Sequence, residues 1–319
     1  MRQGKLIISL DFEMMWGVRD KRSVLSYGKN VAEVRTVIPR LIEMSDKVGI
    51  HLTFGIVGMI MLKGKKELME NYPSIQPSYD DSNKSPYGYY IEQMSEGEEK
   101  YHFAPDLVKY IKTNPQHEIG SHTYSHYYCL EDGQTVDQFL EDLRMAQMVS
   151  RGRLRSIIFP RNQTNPDYLD VCRGQGFLTY RGNEQNALNN ASVHDGIIKR
   201  ALRLIDSYVN LTGYNTYPDE LMLNTGIPMN IPASRFLRPY NKKLRMLDGL
   251  RLHRIKRAMT YAAKKGETFH LWWHPHNFGD HIEENFLFLS GIFEHYRVLN
   301  ERYGMQSYTF SELFNVLHK

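Results

Sequence analysis

Short apolar runs followed by helix-patterned stretches recur along this chain, and that recurrence restricts its architecture more than any other feature. Residues 6–10 read as a buried strand, 30–48 as a helix and 51–57 as the next strand, which makes a βαβ unit. A helix over 135–150 follows, with Thr135 and Gln138 placed for a capping box and Val136, Phe139, Leu140, Leu143, Ala146 and Val149 on its apolar face. Further strands are expected at 156–159, 177–180 and 269–273, and further helices at 169–174 and 283–302. Such alternation implies a parallel sheet covered by helices. No internal repeat and no Gly/Ser-rich linker divides the chain. Its 319 residues are therefore expected to form one domain, 1–319, a length that suits a single α/β barrel.

Residues 64–103 break the pattern. Tyr72, Tyr79, Tyr87, Tyr89, Tyr90 and Tyr101 are scattered there among Pro, Ser, Asp and Asn with little periodicity, so the segment reads as an insertion after the second strand. Either it is a packed surface loop, or it shapes a site and offers aromatic rings to a sugar face. The most apolar stretch, 54–62, falls short of the roughly 20 residues a bilayer requires and contains Gly55 and Gly58, so no membrane-spanning helix is expected. Cys129 and Cys172 are too few for a disulfide framework and read as buried, reduced thiols. The amino terminus lacks the pattern of a signal peptide, which points to the cytoplasm and makes the Asn-x-Ser/Thr triplets at Asn162, Asn190 and Asn210 chance matches. Forty Lys plus Arg against 36 Asp plus Glu gives a net charge of +4, a balance that by itself points neither toward nor away from nucleic acid, and no nucleic-acid partner is expected. One stretch departs from that balance. Residues 235–265 carry eleven bases against the single acid Asp248, in the pattern of an amphipathic helix with a basic outer face. It reads either as a solvated surface or as a peripheral contact with anionic membrane or a lipid-linked glycan.

Three clusters carry chemistry. In His117-Glu-Ile-Gly-Ser-His-Thr-Tyr-Ser-His126, the four-residue spacing of His122 and His126 predicts one face of a helical turn, from which both imidazoles reach one metal. In Ser9-Leu-Asp-Phe-Glu13, two carboxylates stand two apart at the end of an apolar strand and project to the same side. Buried acids are costly unless paired, protonated or ligated, so the alternative is an ion pair with an arginine. The third cluster, His270-Leu-Trp-Trp-His-Pro-His276, again ends an apolar strand. Two histidines and a carboxylate leave a divalent ion with open positions; zinc is the default for nitrogen and oxygen ligands, with other divalent ions admitted. Such an ion acidifies water, a second carboxylate accepts the proton, and a histidine opposite protonates the departing group. That is hydrolysis of an amide or ester.

In their order along the chain these motifs resemble the NodB-homology polysaccharide deacetylases, carbohydrate esterase family 4. Ser9-Leu-Asp-Phe-Glu13 is similar to the first acidic motif in an Asp-x-Glu form, and His51-Leu-Thr-Phe-Gly-Ile-Val-Gly58 to the second strand. His122 to His126 resembles the metal-histidine motif, Ile158-Phe-Pro-Arg-Asn162 the third motif and Leu271-Trp-Trp-His274-Pro the last. The resemblance implies a distorted (β/α)7 TIM-like barrel and metal-dependent removal of an N-acetyl group from a sugar or glycan in cell-surface polysaccharide biosynthesis. It further implies Asp11 as general base, Glu13, His122 and His126 as holders of one divalent ion, and His274 as general acid, with an exchange of Asp11 and Glu13 left open. The third motif departs from the family, which places an arginine before the proline and a tyrosine after it. Here Arg161 follows Pro160 and is expected to steady Asp11, and the backbone near Asn162 or Gln163 is expected to donate to an oxyanion. The family's Asp-containing motif that orients the general acid has no clear match; Asn183 and Glu184 lie near its place. His276 competes with His274 or holds substrate, and Trp273 and Asn162 are the other candidates for substrate contact. Two other readings stand beside this one: a glycan-binding pseudoenzyme, and a hydrolase of a non-sugar amide or cyclic ureide on the same fold.

Overall fold

A computed structural model describes residues 3–186, 188 and 196–319; the triplet at Asn190 lies outside the described residues. Nine strands are present among them: β1 (Lys5–Phe12), β2 (Leu52–Ile56), β3 (Glu118–Ser121), β4 (Ser156–Ile157), β5 (Thr179–Gly182), β6 (Met229–Pro232), β7 (Arg235–Phe236), β8 (Thr268–Trp273) and β9 (Gln306–Tyr308). They pair in parallel in the order β6-β5-β4-β3-β2-β1-β8-β7. Only Ala233 and Ser234 separate β6 from β7. This single extended segment pairs with β5 along one edge and β8 along the other, with Ala233 N–H on Gly182 O at 2.9 Å and Ser234 N–H on His270 O at 2.8 Å. The sheet thereby closes on itself as a distorted seven-membered barrel, in agreement with the expected (β/α)7 architecture. Strand β9 takes the edge of β1 along Lys5–Ile7, and β2 takes the same edge from Ile8 onward.

Burial on both faces is what makes β1 a continuous apolar run. Leu6, Ile8, Leu10 and Phe12 join the main core under the helices, whereas Ile7 packs with Ile158, Met229, Ile231, Phe310 and Leu313 inside the barrel. The last two come from the helix Phe310–Leu317, which stoppers the amino-terminal end; its Phe310 and Ser311 amides donate to Thr53 Oγ1 and Glu118 Oε2 at 3.0 and 2.9 Å. The barrel opens only at the carboxyl ends of its strands.

Several boundaries differ from expectation. Residues 30–48 belong to two helices, Val24–Ala32 and Val34–Asp46, the first started by Ser23 in a reciprocal cap with Ser26. Strand 156–159 covers only Ser156–Ile157, although the Ile158 amide still donates to Ser121 O at 2.8 Å, and strand 177–180 sits two residues later. The helix Val136–Ser150 keeps the predicted Thr135–Gln138 capping box, and the helices Leu169–Gly174 and Ile282–Tyr303 lie where expected.

Residues 64–103 follow β2 and fold into short helical turns, Lys65–Glu70, Ser82–Lys84, Tyr89–Gln93 and Glu96–Tyr101. Their tyrosines mostly pack inward: Tyr79 OH accepts the Tyr128 amide at 2.8 Å, Tyr72 OH accepts the Gly88 amide at 3.1 Å, and Tyr90 OH bonds His102 Nε2 at 2.7 Å. Tyr89 alone of the six is exposed. These rings pack as the packed-loop reading expects, and the segment meets the turn after β1, where Trp16 Nε1 donates to His102 O at 2.8 Å.

The basic segment is not a helix with a uniformly basic outer face. Arg235 lies in β7, and in the helix Asp248–Lys265 both Arg251 and Arg254 are buried. Arg235 and Arg254 pair with Asp206 at 3.0 and 3.5 Å, and Arg251 with Asp248 at 2.9 Å. Buried guanidinium groups require such partners, so part of the charge is turned inward. Cys129 and Cys172 are buried free thiols. Among the described residues no helix is long and apolar enough to cross a membrane.

Candidate metal centre and active site

Strand alternation delivers the first side chains. Ser9 and Asp11 of β1, with Glu13 just beyond its end, follow at two-residue spacing into the barrel mouth, and His270, Trp272 and His274 do the same from β8. The histidine pair arrives differently. His122 and His126 lie in an irregular loop after β3, not on a helical turn. Thr123 and His126 adopt left-handed backbone, φ 61° and 60°, at a cost of about 1 kcal/mol or more each for residues with a Cβ. Asp142 offsets that cost: it accepts the amides of Tyr124 and Ser125 at 2.6 and 3.1 Å as well as the Ser125 hydroxyl, while Thr123 Oγ1 accepts the Tyr127 amide at 2.7 Å.

The loop brings both imidazoles onto one carboxylate oxygen. Glu13 Oε2 lies 3.0 Å from His126 Nε2 and 3.3 Å from His122 Nε2, and the three ligand atoms fall within 4.8 Å of one another. His122 Nδ1 donates to Ile158 O at 2.9 Å, which leaves Nε2 as a lone pair facing a carboxylate oxygen. With the ring neutral, as a metal ligand must be, both atoms are acceptors and repel, and His122 Nε2 is a buried atom without a hydrogen-bond partner. A divalent cation between them removes the conflict, and the donor set of two nitrogens and one oxygen fits zinc with open positions. Burial raises the Glu13 carboxyl pKa, but His274, His122 and His126 outweigh it and hold the group well below the usual range. Burial pushes His126 down to about 4, which keeps it in the neutral form that ligates. Gly17 completes the pocket, since a Cβ there would sit 2.0 Å from the Glu13 carboxyl carbon.

Asp11 lies beside this centre in a different environment. Arg181 of β5 grips both of its oxygens, at 2.5 and 2.7 Å. Burial raises the Asp11 pKa, and Arg181, with help from His122 and His274, brings it below the ordinary carboxylate value. The same guanidinium donates to Asn162 Oδ1 at 2.7 Å and lies 4.2 Å over the Trp272 ring. Beneath it, His270 Nδ1 donates to Pro232 O at 3.1 Å, so its Nε2 accepts the Ser9 hydroxyl at 2.8 Å and the floor of the site is closed by a satisfied network. Across the mouth, His274 Nε2 stands 3.7 Å from Asp11 Oδ2 and 3.6 Å from Glu13 Oε1. Its Nδ1 lies 3.3 Å from Asn277 Nδ2, and Asn277 Oδ1 accepts from Tyr27 OH at 3.4 Å, so the Asn277 amide orients the ring.

No family model matches the sequence, and no curated protein does. Solved structures do match. A protein assigned as a polysaccharide deacetylase from Mycobacterium smegmatis is 13% identical and superposes over 99% of this chain and 91% of its own, with a TM-score of 0.60. One assigned likewise from Pseudomonas aeruginosa PAO1 is 13% identical over 98% of this chain and 90% of its own, TM-score 0.55. The chain has the polysaccharide deacetylase fold. Puue allantoinase shares it, at 13% identity over 98% of this chain and 90% of its own, TM-score 0.53.

On this deacetylase fold, several expected contacts are rearranged. Arg161 does not steady Asp11. It pairs with Asp20 at the rim, stands 3.7 Å from Glu131 and covers the Tyr128 ring at 4.2 Å. Arg181, which the sequence reading missed, takes that place from the next strand. The amides of Asn162 and Gln163 donate to Phe159 O and Pro160 O at 3.0 Å each, so neither is free to meet an oxyanion. Trp273 is fully buried and stacked on Phe278 at 5.7 Å, so it is a core residue rather than a substrate contact; Trp272, partly exposed, is the ring on the cleft. Asn183 bonds the Asn162 backbone oxygen at 3.1 Å, and the partner of His274 is the neutral amide of Asn277. His276 stacks on His274 at 5.1 Å with Nε2 3.9 Å from Glu13 Oε1; burial, then the neighbouring His274, pushes it down to about 4. His274 is the more accessible of the two.

Proposed function

We propose that this chain is a metal-dependent hydrolase that removes the acetyl group from an N-acetylated sugar or glycan, working in the cytoplasm in the making of cell-surface polysaccharide. The observation that supports it most is Glu13 Oε2 opposite the Nε2 atoms of His122 and His126, with the other nitrogen of His122 committed to a backbone carbonyl. A divalent cation held there, zinc in the first instance, supplies Lewis acidity that acidifies water and polarises an amide carbonyl. Asp11, kept ionised by Arg181, accepts the proton as water adds to the acetamide carbon. His274 in its imidazolium form would give its Nε2 proton to the sugar nitrogen as the C–N bond breaks and be left neutral, while the proton from water stays on Asp11, so acetate and a free amine leave. Asn277 and Tyr27 hold the imidazole in that orientation, and Trp272 and Asn162 offer a ring face and an amide to the sugar.

Space favours a sugar over a compact cyclic ureide. The cleft at these side chains encloses about 390 Å³ and shares Asn162, Phe236, Trp272 and His274 with a neighbouring cavity of about 430 Å³. Acetate release from a panel of N-acetylated glycans is the test. Asp11→Asn is expected to lower turnover by about 10²–10⁴-fold with its metal retained. Full activity in that variant removes Asp11 as the base, and stoichiometric metal with no acetate from any substrate turns the reading to a glycan-binding protein without turnover.

A further inference from the structure

We infer that the cavity beside the metal centre recognises an anion, and that the substrate carries a phosphate or carboxylate next to its N-acetylated ring. The inference deepens the deacetylase reading and rests on it. Because the cavity and the catalytic cleft share Trp272 and His274, a ligand whose acetamide group reaches Asp11 extends into it directly. The wall it meets there is made of Arg200, Arg203, Arg235 and Arg238.

Two carboxylates, Glu184 and Asp206, face those four guanidinium groups. Asp206 is already engaged: it pairs with Arg235 and with Arg254 behind the wall, and accepts the amides of Leu211 and Thr212 at 2.9 Å each. The cavity is left with an excess of positive charge. Arg238 is its least compensated member, half-buried and with no hydrogen bond or ion pair to its guanidinium among the described residues. Burial, together with the like charges of Arg203, Arg235 and Arg251, works against its protonated form and outweighs the opposing effect of Tyr208. Arg200 is exposed and Arg235 is paired with Asp206, so it is half-buried Arg238, flanked by like charges, whose charge most favours an incoming anion. Guanidinium forks match the paired oxygens of a phosphate or carboxylate, and the wall contains arginine without lysine. A neutral glycan would leave the Arg238 charge unanswered.

The test compares acetate release from a neutral N-acetylglucosamine disaccharide, N-acetylglucosamine 1-phosphate and an N-acetylated aminouronic acid. At low ionic strength kcat/KM for at least one of the charged substrates is expected to exceed that for the neutral one by about tenfold or more, and the two charged probes tell phosphate from carboxylate. Added salt should shrink that ratio in the parent protein, which needs no variant to fold. Arg238→Gln should shrink it as well, and Arg238→Lys should restore part of it. Equal kcat/KM for charged and neutral substrates overturns the inference and leaves deacetylation standing. If no probe yields acetate yet N-acetylglucosamine 1-phosphate binds in calorimetry, with weaker affinity in Arg238→Gln, deacetylation falls and the anion subsite remains. Absence of both turnover and binding overturns both.

Discussion

Glu13 can share one oxygen with two imidazoles because Gly17 leaves room for its carboxyl group. In Gly17→Ala the three atoms nearest the added methyl all belong to that movable carboxyl, so the fold should persist while the ligand swings away. Metal affinity is expected to fall by about tenfold or more, read by competition with a chelator; an unchanged affinity separates Glu13 from the metal. Arg181 acts on the other carboxylate. Arg181→Met leaves Asp11 buried without its counter-charge, at a cost of about 3–5 kcal/mol at neutral pH. The sign follows from the Asp11 pKa, which is lowered in the folded state: its stabilisation is present above 3.8 and lost as pH falls through the folded value. The stability gap between parent and variant should therefore be widest near neutrality and close toward acid, and the acidic limb of kcat/KM should move to higher pH. A gap that is constant with pH contradicts this. The sequence contained part of the residue-level answer. The two-residue period through His270 and His274 already places Trp272, and not Trp273, inside the barrel. Arg181 was beyond such reasoning, because nothing local to it indicates a partner 170 residues away.

The loop from His122 to His126 depends on the neighbouring helix Val136–Ser150. Asp142 falls at helical spacing between Phe139 and Ala146, so an acid on the apolar face was visible in the sequence, though its partners were not. Burial raises its pKa to about 6, while Ser125 and the amides it accepts oppose the shift. With the folded pKa above 3.8, this group's contribution to stability is full below about pH 4 and is lost as pH rises through about 6, an effect on the order of 3 kcal/mol. Asp142→Asn lacks that titration. Its melting temperature relative to the parent is expected to rise between about pH 4 and pH 7, while its metal binding weakens because Asn keeps one accepting oxygen and its NH2 group cannot accept the second backbone N–H. A difference in melting temperature that does not change with pH removes Asp142 as the titrating group. The four-residue histidine spacing led to the right pairing through the wrong conformation. Helical spacing and a buckled loop both bring residues i and i+4 together, and only tertiary anchoring by Asp142 decides between them.

The barrel as a whole was legible from the alternation of strands and helices, but its closure was not. Strands β6 and β7 are four and two residues long, with Pro228 before the first and Pro232 at its end, too short for any period to register. The same region was read as the start of a basic helix, whereas Arg235 turns inward to Asp206. Lys242, Lys243, Arg245, Arg257, Lys264 and Lys265 remain exposed, and contact with an anionic membrane or lipid-linked glycan rests on these. Sedimentation with anionic liposomes should show retention at low ionic strength that salt abolishes; no retention at low salt ends that proposal. Every step of the chemistry depends on the barrel mouth gathering side chains from β1, the loop after β3 and β8 around one cation. The direct test is elemental analysis of the purified chain beside a His122→Ala, His126→Ala variant. One divalent ion per parent chain, absent from the folded variant, is the predicted result; a parent without metal, or a variant that holds as much as the parent, contradicts the account.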